Sequence, residues 1–319
     1  MKKFAYLTCL IMVSLILAAC QVVVSTPTLP AEVTEDQGLE ATLELLLTQQ
    51  AATIESLTTM VAPTASPVAV ETDVTPEPTA VPEVTVIPIY TGDINVIESG
   101  GLVFNLPVEV AAGADVTTVL PDDPNEGWSE FSLPARRMVN FSGYIIQDHF
   151  HTPVIYVYAF DKLIQGGTFG ATNAATLQGL LIDPELDLQA EGSLPFLPPF
   201  NAAQVFHVLE QRLDSVYNSG IRYLTMYSQG IMGVTNYEIF YTYQGISADG
   251  RYYIAAVLPI HSSLLSDTQL SNEEMENIIY EYPQYVESIA ELIRTENGGI
   301  LTPSLEALDA MMMSFRVAD

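Results

Sequence analysis

The chain has 319 residues, with 10 Lys and Arg against 39 Asp and Glu, so its formal net charge is −29. Hydrophobic residues make up 49% and charged residues only 15%, which is too apolar for a chain that is disordered throughout. This acidic balance excludes nucleic-acid binding, because phosphate recognition requires clustered Lys and Arg. It also opposes electrostatic attraction to anionic lipid headgroups.

The N-terminus has the features of an export signal. Lys2 and Lys3 precede an apolar run over residues 4–17, which is shorter than the roughly 20 residues of a membrane-spanning helix. The run ends in Leu-Ala-Ala-Cys at residues 17–20, which resembles the lipobox of bacterial lipoproteins. In that family the peptide is cut before the cysteine, which carries a diacylglyceryl group. The resemblance implies a signal peptide over 1–19 and a lipidated Cys20 that anchors the protein on the outer side of the cell membrane. The alternative is an ordinary secretory signal followed by a chance cysteine.

The cysteine count restricts the chemistry of the mature chain. Its two cysteines are Cys9, inside the predicted signal, and Cys20, the predicted lipidation site. If both assignments hold, the mature protein has no catalytic thiol, no disulfide and no Cys-ligated zinc. The exported domain is then stabilised by its hydrophobic core alone.

Residues 20–90 predict a tether between the anchor and a domain. They carry ten acidic residues and no basic one, and residues 61–89 contain six prolines, which favour an extended polyproline geometry. Residues 39–61 lack proline and place apolar side chains at heptad spacing, which predicts a short helix. This helix is either a coiled coil that oligomerises the stalk or a single amphipathic helix. The heptad positions are Leu43, Leu47, Ile54, Leu57 and Val61.

Residues 91–319 predict one α+β domain, in which an antiparallel β-sheet carries C-terminal helices packed on it. A final helix is expected with Thr302 as N-cap, Pro303 at its first position and Phe315 at its end. Other helices are predicted at 173–182, 271–282 and 283–296. Residues 203–216 also fit a helical stripe, but a strand is favoured there. Runs rich in Val, Ile, Tyr and Phe predict strands at 101–107, 137–146, 153–160, 203–216, 221–229, 237–244 and 252–258.

Several runs in this domain are similar to segments of uncharacterised bacterial envelope lipoproteins. They are FHTP at 150–153, NAAQVFH at 201–207, SGIRYLT at 219–225, FYTYQG at 240–245 and DGRYY at 249–253. The resemblance implies a shared fold, and it carries over no catalytic residues because that group has no assigned activity. The strands, the helices and the closing SFRV at 314–317 are also similar to PsbP-like α/β/α sandwiches, which are mostly accessory or assembly factors on membranes.

One short segment is a candidate metal site. If residues 148–151 form a strand, His149 and His151 point to the same face and can share a zinc or copper ion. A third ligand is then required from His207, His261 or a carboxylate. The alternative is a pair of histidines in ordinary packing and hydrogen bonds.

Other catalytic signatures are missing from the sequence. There is no G-x-S-x-G elbow, no Walker motif and no G-x-G-x-x-G. The acidic loop at 121–127 lacks the EF-hand pattern, so it is either a calcium-binding loop of another kind or a solvated loop. No catalytic residue and no cofactor is assigned.

Tyrosines are concentrated in the second half of the domain, where eleven of the sixteen lie between residues 217 and 285. On paired strands, they would form one stripe across the sheet. An exposed stripe would suit a glycan, a peptide or a protein partner, whereas a buried one belongs to the core. The stripe consists of Tyr223 and Tyr227 on one predicted strand and Tyr237, Tyr241 and Tyr243 on the next.

These features predict a lipid-anchored, extracytoplasmic binding or assembly module, with the cell membrane, and an envelope protein or glycan, as partners. Candidate ligand contacts are Tyr223, Tyr227, Tyr241, Tyr243 and the loop residue Trp128. The alternative expected for Trp128 is packing into the edge of the domain. Two alternatives remain open. One is a metal-dependent hydrolase or metal-binding protein that uses His149 and His151. The other is a structural stalk protein that oligomerises through residues 39–61.

Overall fold

The structure is a computed structural model that describes residues 90–125 and 129–318. The predicted lipidation site Cys20, the tether with its segment 39–61, and Trp128 lie outside the described residues. Among the helices that are described, none combines the length and the apolar character needed to cross a bilayer.

The domain is built on a seven-stranded sheet in which all neighbouring strands are antiparallel. In spatial order the strands are β3 (Gly113–Val119), β4 (Arg136–Ser142), β5 (Val154–Ala159), β9 (Tyr252–Pro259), β8 (Phe240–Ser247), β7 (Asn218–Ser228) and β6 (Ala203–Asp214). A smaller antiparallel sheet places β2 (Leu102–Pro107) between β1 (Ile94–Ser99) and β12 (Arg316–Val317). Two short strands, β10 (His261–Ser262) and β11 (Leu301–Thr302), pair with each other.

Within residues 90–125 and 129–318, five α-helices accompany the sheets. Two follow β5, namely α1 (Phe160–Gln165) and α2 (Thr168–Ile182), and three lie towards the C-terminus, namely α3 (Asn272–Ile278), α4 (Tyr282–Thr295) and α5 (Leu305–Ser314). Short 3₁₀ turns form at Ser129–Phe131 and Leu188–Ala190. The predicted α+β class, an antiparallel sheet with C-terminal helices, is confirmed.

Helices cover both faces of the seven-stranded sheet. One face packs with α4 and α5 in a core that includes Leu224, Tyr241 and Met311. The opposite face packs with α2 in a second core that includes Tyr223 and Leu177. Successive strand residues point to opposite faces, so each central strand contributes to both cores.

The segment 203–216, which also fitted a helical stripe, forms strand β6 over Ala203–Asp214. Its pairing with β7 is interrupted by irregularities between Gln204 and Phe206 and between Val208 and Gln211. Each extra residue shifts the alternation of inward and outward side chains by one, which gives a strand a spacing that resembles a helical period. The favoured strand prediction is confirmed, and the bulges explain the ambiguity.

Several predicted boundaries are wrong. The last helix begins at Leu305, because Ser304 is the N-cap and its hydroxyl accepts a hydrogen bond from the backbone N–H of Ala307. Thr302, the predicted cap, instead pairs with His261 in the short β10–β11 ladder. The helix predicted over 271–282 ends at Ile278, and the strand predicted over 137–146 ends at Ser142.

A tyrosine and two glycines fix the contact between the sheet and α5. The side chain of Tyr243 occupies the space above Gly245 and its cross-strand partner Gly220, where a Cβ at either glycine would overlap the ring. The Tyr243 hydroxyl then reaches the side-chain oxygen of Asn218, at 2.6 Å. The Asn218 amide donates to two backbone carbonyls at the end of α5, at 3.0 and 2.6 Å.

Candidate functional site

The predicted single stripe of tyrosines is wrong. Tyr223 pairs with Thr242, and Tyr241 pairs with Leu224. Directly paired residues share a face of the sheet, so Tyr223 lies on the α2 face while Tyr241 and Tyr243 lie on the α5 face. Tyr237 precedes β8 altogether, since that strand begins at Phe240.

Three of the candidate tyrosines are core side chains. Tyr223, Tyr241 and Tyr243 are fully buried. The hydroxyl of Tyr223 donates to the carbonyl of Pro195 at 2.9 Å, and that of Tyr241 donates to Asp309 at 3.0 Å. Burial raises the pKa of all three phenols well above the usual value. These side chains give a ligand no surface to contact in this structure.

The histidine segment does not form the strand that its predicted geometry required. Residues 143–153 connect β4 to β5 as a loop, and Asp148 has a positive φ of 53°. The rings of His149 and His151 nevertheless lie near each other, with centroids 5.7 Å apart. Their proximity follows from the loop conformation and not from strand alternation.

His149 uses both ring nitrogens in hydrogen bonds. Its Nε2 lies 2.9 Å from the carbonyl oxygen of Ile239, and its Nδ1 lies 3.0 Å from the backbone N–H of His151. A carbonyl only accepts and an amide only donates, so the ring is neutral with its proton on Nε2. Burial lowers the pKa of His149, which favours this neutral form. The arrangement leaves no lone pair on His149 for a metal ion.

His151 is part of an aromatic packing arrangement. Its ring stacks on Phe200 at 5.0 Å between centroids, with an 8° angle between the planes, and meets Phe240 edge-on at 4.5 Å. The side chain is buried, and its Nε2 has no hydrogen-bond partner. Burial, and then electrostatic repulsion between the two imidazoles when both carry a proton, lower the pKa of His151 to about 4.

The other proposed metal ligands are also engaged elsewhere. His207 lies between the carboxylate of Glu210 and the carbonyl of Glu191, and His261 contacts Asp267. In the acidic loop, both oxygens of Asp122 accept hydrogen bonds, from the Arg136 guanidinium and from a backbone N–H. Across residues 90–125 and 129–318, no three His, Cys, Asp or Glu side chains are grouped so that they could hold a metal ion.

The structure does bring together two of the predicted site residues, His151 and Tyr227. They belong to a group of five rings, here called the aromatic cluster. Phe200 contacts each of the other four, with centroids 4.9 to 6.1 Å apart. The cluster consists of His151, Phe196, Phe200, Tyr227 and Phe240.

Side-chain amides hold the segment that carries Phe196 and Phe200. Backbone N–H groups at 194, 196 and 197 donate to the side-chain oxygens of Gln204 (2.9 Å), Asn173 (2.8 Å) and Gln244 (3.0 Å). These three amides come from β6, α2 and β8, so one irregular segment is tied to both strands and a helix. A loop held in this way presents its side chains in a defined position.

A cavity of about 440 Å³ opens beside the cluster, and it is here called the Phe200 pocket. It is lined by Phe131, Pro199, Phe200 and Asn201. Phe131 is 38% exposed and also contacts Phe169 of α2, with ring centroids 5.2 Å apart. The lining has two aromatic rings, a proline and one amide, with no ionisable side chain among these described residues. This volume and this mainly apolar lining are typical of small-molecule sites.

The sequence interpretation did not identify Phe131, Phe200 or Asn201. The only local signal was the run of aromatic, leucine and proline residues at 194–200, which reads as a connector. No protein-family model matches the chain, and no curated protein matches it.

Proposed function

We propose that the chain is a lipid-anchored, extracytoplasmic binding module whose ligand occupies the Phe200 pocket. The anchoring part of the proposal depends on the lipobox-like quartet that ends in Cys20. The binding part depends on one observation. A pocket of about 440 Å³ with aromatic rings in its lining lies beside a cluster of five packed rings.

A binding role accounts for the pocket better than catalysis does. The described part of the lining offers aromatic rings and an amide, which bind and orient a ligand, and none of the four residues described there is an acid, a base or a nucleophile. His151, which stacks on Phe200, is buried and has a strongly lowered pKa. The proposal therefore assigns this pocket recognition without a reaction step.

Binding is tested by ligand-observed NMR on the full chain with probes of several chemical classes, including sugars, neutral ring compounds and organic cations. We expect at least one class to bind the wild type and to lose binding in Phe200→Leu, which keeps an apolar side chain but removes the ring face. Tyr280→Leu is the matched control, because Tyr280 is 91% exposed and lies outside the pocket. Identical binding profiles for wild type and Phe200→Leu would contradict the proposal.

Anchoring is tested separately by substituting the predicted lipidation site. We expect the wild-type chain, expressed in a bacterium, to fractionate with membranes and to carry a diacylglyceryl group on Cys20 by mass spectrometry. Cys20→Ser should move the protein to the soluble extracytoplasmic fraction, because its acyl chains supply the attachment. Membrane association that is unchanged in Cys20→Ser refutes the lipid anchor.

A further inference from the structure

We infer that the occupant of the Phe200 pocket is a weakly hydrated organic cation of the quaternary-ammonium class. The inference rests on the proposed function, since it names the ligand class of the same pocket. It is based on two independent observations, the aromatic rings of the lining and the net negative charge of the domain.

The lining favours a cation that carries little water. The rings of Phe131 and Phe200 line the pocket, and the π face of an aromatic ring attracts a cation electrostatically, most strongly when the cation is desolvated. Among the described residues of the lining there is no carboxylate to replace the hydration shell of a metal ion or a primary ammonium, whose dehydration would be costly. A quaternary ammonium has no N–H group to satisfy, and its methyl groups pack well against apolar walls.

The charge of the domain supports the same ligand class. Residues 91–319 contain 8 basic and 29 acidic residues, a net charge of −21. A field of this sign raises the local concentration of cations and lowers that of anions. An anionic ligand would enter against this charge, and the pocket offers it no positive partner.

The basic residues of the domain do not offset this charge near the pocket. All eight lie in the described part, and none of them lines the pocket. Each contacts an acidic side chain, a backbone carbonyl or an aromatic ring elsewhere in the domain. They are Arg136, Arg137, Lys162, Arg212, Arg222, Arg251, Arg294 and Arg316.

The ring behind the pocket adds no positive charge either. His151 stacks on Phe200 and is shielded from solvent. Its lowered pKa, about 4, keeps the imidazole neutral at neutral pH. The ring that stacks on Phe200 is therefore uncharged at neutral pH.

The deciding experiment compares choline with 3,3-dimethylbutan-1-ol, its neutral isostere, by calorimetric titration of the full chain. We expect choline to bind roughly fivefold to thirtyfold more tightly, the factor that cation–π attraction provides at a partly desolvated site. Added salt should weaken choline binding and leave the isostere unchanged, because only the charged ligand is screened. Equal affinities for the two ligands, or an advantage of choline that salt does not change, would overturn the inference.

Two variants connect the result to the pocket. Phe200→Leu and Phe131→Leu should each reduce choline affinity, whereas Tyr280→Leu should not. The variant Phe131→Leu should keep the native fold even if Phe200→Leu does not, because Phe131 lies in a short surface turn and is 38% exposed. If only neutral ring compounds bind, and in a Phe200-dependent manner, the binding function stands and the cation inference fails. If no probe binds, both fail.

Discussion

A buried ion pair joins the sheet to the last helix, and removing one of its partners should destabilise the protein strongly. Arg222 of β7 and Asp309 of α5 approach to 3.3 Å, and their side chains are 8% and 6% exposed. The guanidinium also donates to the Gln211 side chain at 2.5 Å and to the carbonyl of Leu209. The carboxylate accepts a further hydrogen bond from the hydroxyl of Tyr241 at 3.0 Å. Burial raises the pKa of Asp309, and the Arg222 charge opposes that rise.

Removing one partner of the pair should cost more stability than removing one hydrogen bond to it. Asp309→Ala leaves a permanently charged guanidinium buried without a countercharge, which costs about 3–5 kcal/mol of unfolding free energy. This is a large fraction of the roughly 5–15 kcal/mol that stabilises a typical domain. Tyr241→Phe removes only one hydrogen bond to the carboxylate and should cost about 1–3 kcal/mol.

Urea unfolding of the full chain, followed by circular dichroism, measures both losses as shifts of the midpoint at an unchanged slope. The double variant Arg222→Met/Asp309→Leu is the matched control, because it removes both charges and keeps apolar volume. It should recover most of the stability lost in Asp309→Ala. The reasoning is refuted if Asp309→Ala unfolds within 1 kcal/mol of wild type, or if the double variant is less stable than Asp309→Ala.

Two histidines and a glycine give further predictions, all measured by the same unfolding assay. The folded pKa of His151 is about 4, below its ordinary 6.5, so the free energy of unfolding should fall as the pH drops from about 6.5 to 4. His151→Phe should lose this pH dependence, and an unchanged pH profile in the variant would contradict the lowered pKa of His151. Burial disfavours the charged form of His207, but hydrogen bonds to Glu210 and to a carbonyl outweigh burial and raise its pKa. The contribution of His207 to the free energy of unfolding should be fully present below pH 6.5 and should be lost as the pH rises through the folded pKa. His207→Gln should make this loss smaller, and an equally steep loss in the variant would contradict the raised pKa of His207. Gly245→Ala should cost about 1–3 kcal/mol, because its methyl group overlaps the Tyr243 ring, and a neutral substitution would show that the ring is free to move.

The candidate site could be anticipated only in part. His151 and Tyr227 were selected from the sequence, for metal binding and for ligand contact, and both lie in the aromatic cluster. The predicted metal site of His149 and His151 required that residues 148–151 form a strand. These residues form a loop, in which the His149 ring hydrogen-bonds to the carbonyl of Ile239. That carbonyl is 90 residues away along the chain, and local patterns carry no information on such a contact.

The sequence alone determined the α+β class and most of the strands, because alternating apolar residues and turn signals are local properties. An example is the Asp-Gly turn before β9, where Gly250 has the expected positive φ of 72°. The lipobox-like quartet and the proline-rich tether are also properties of the sequence, and they stay predictions, since both lie outside the described residues. Only the tertiary structure decided which face of the sheet each tyrosine occupies, because cross-strand register depends on non-local pairing. It also decided that Phe131 and Phe200 line the same pocket. Residues about 70 positions apart come together only when the sheet and the connector at 194–200 have folded.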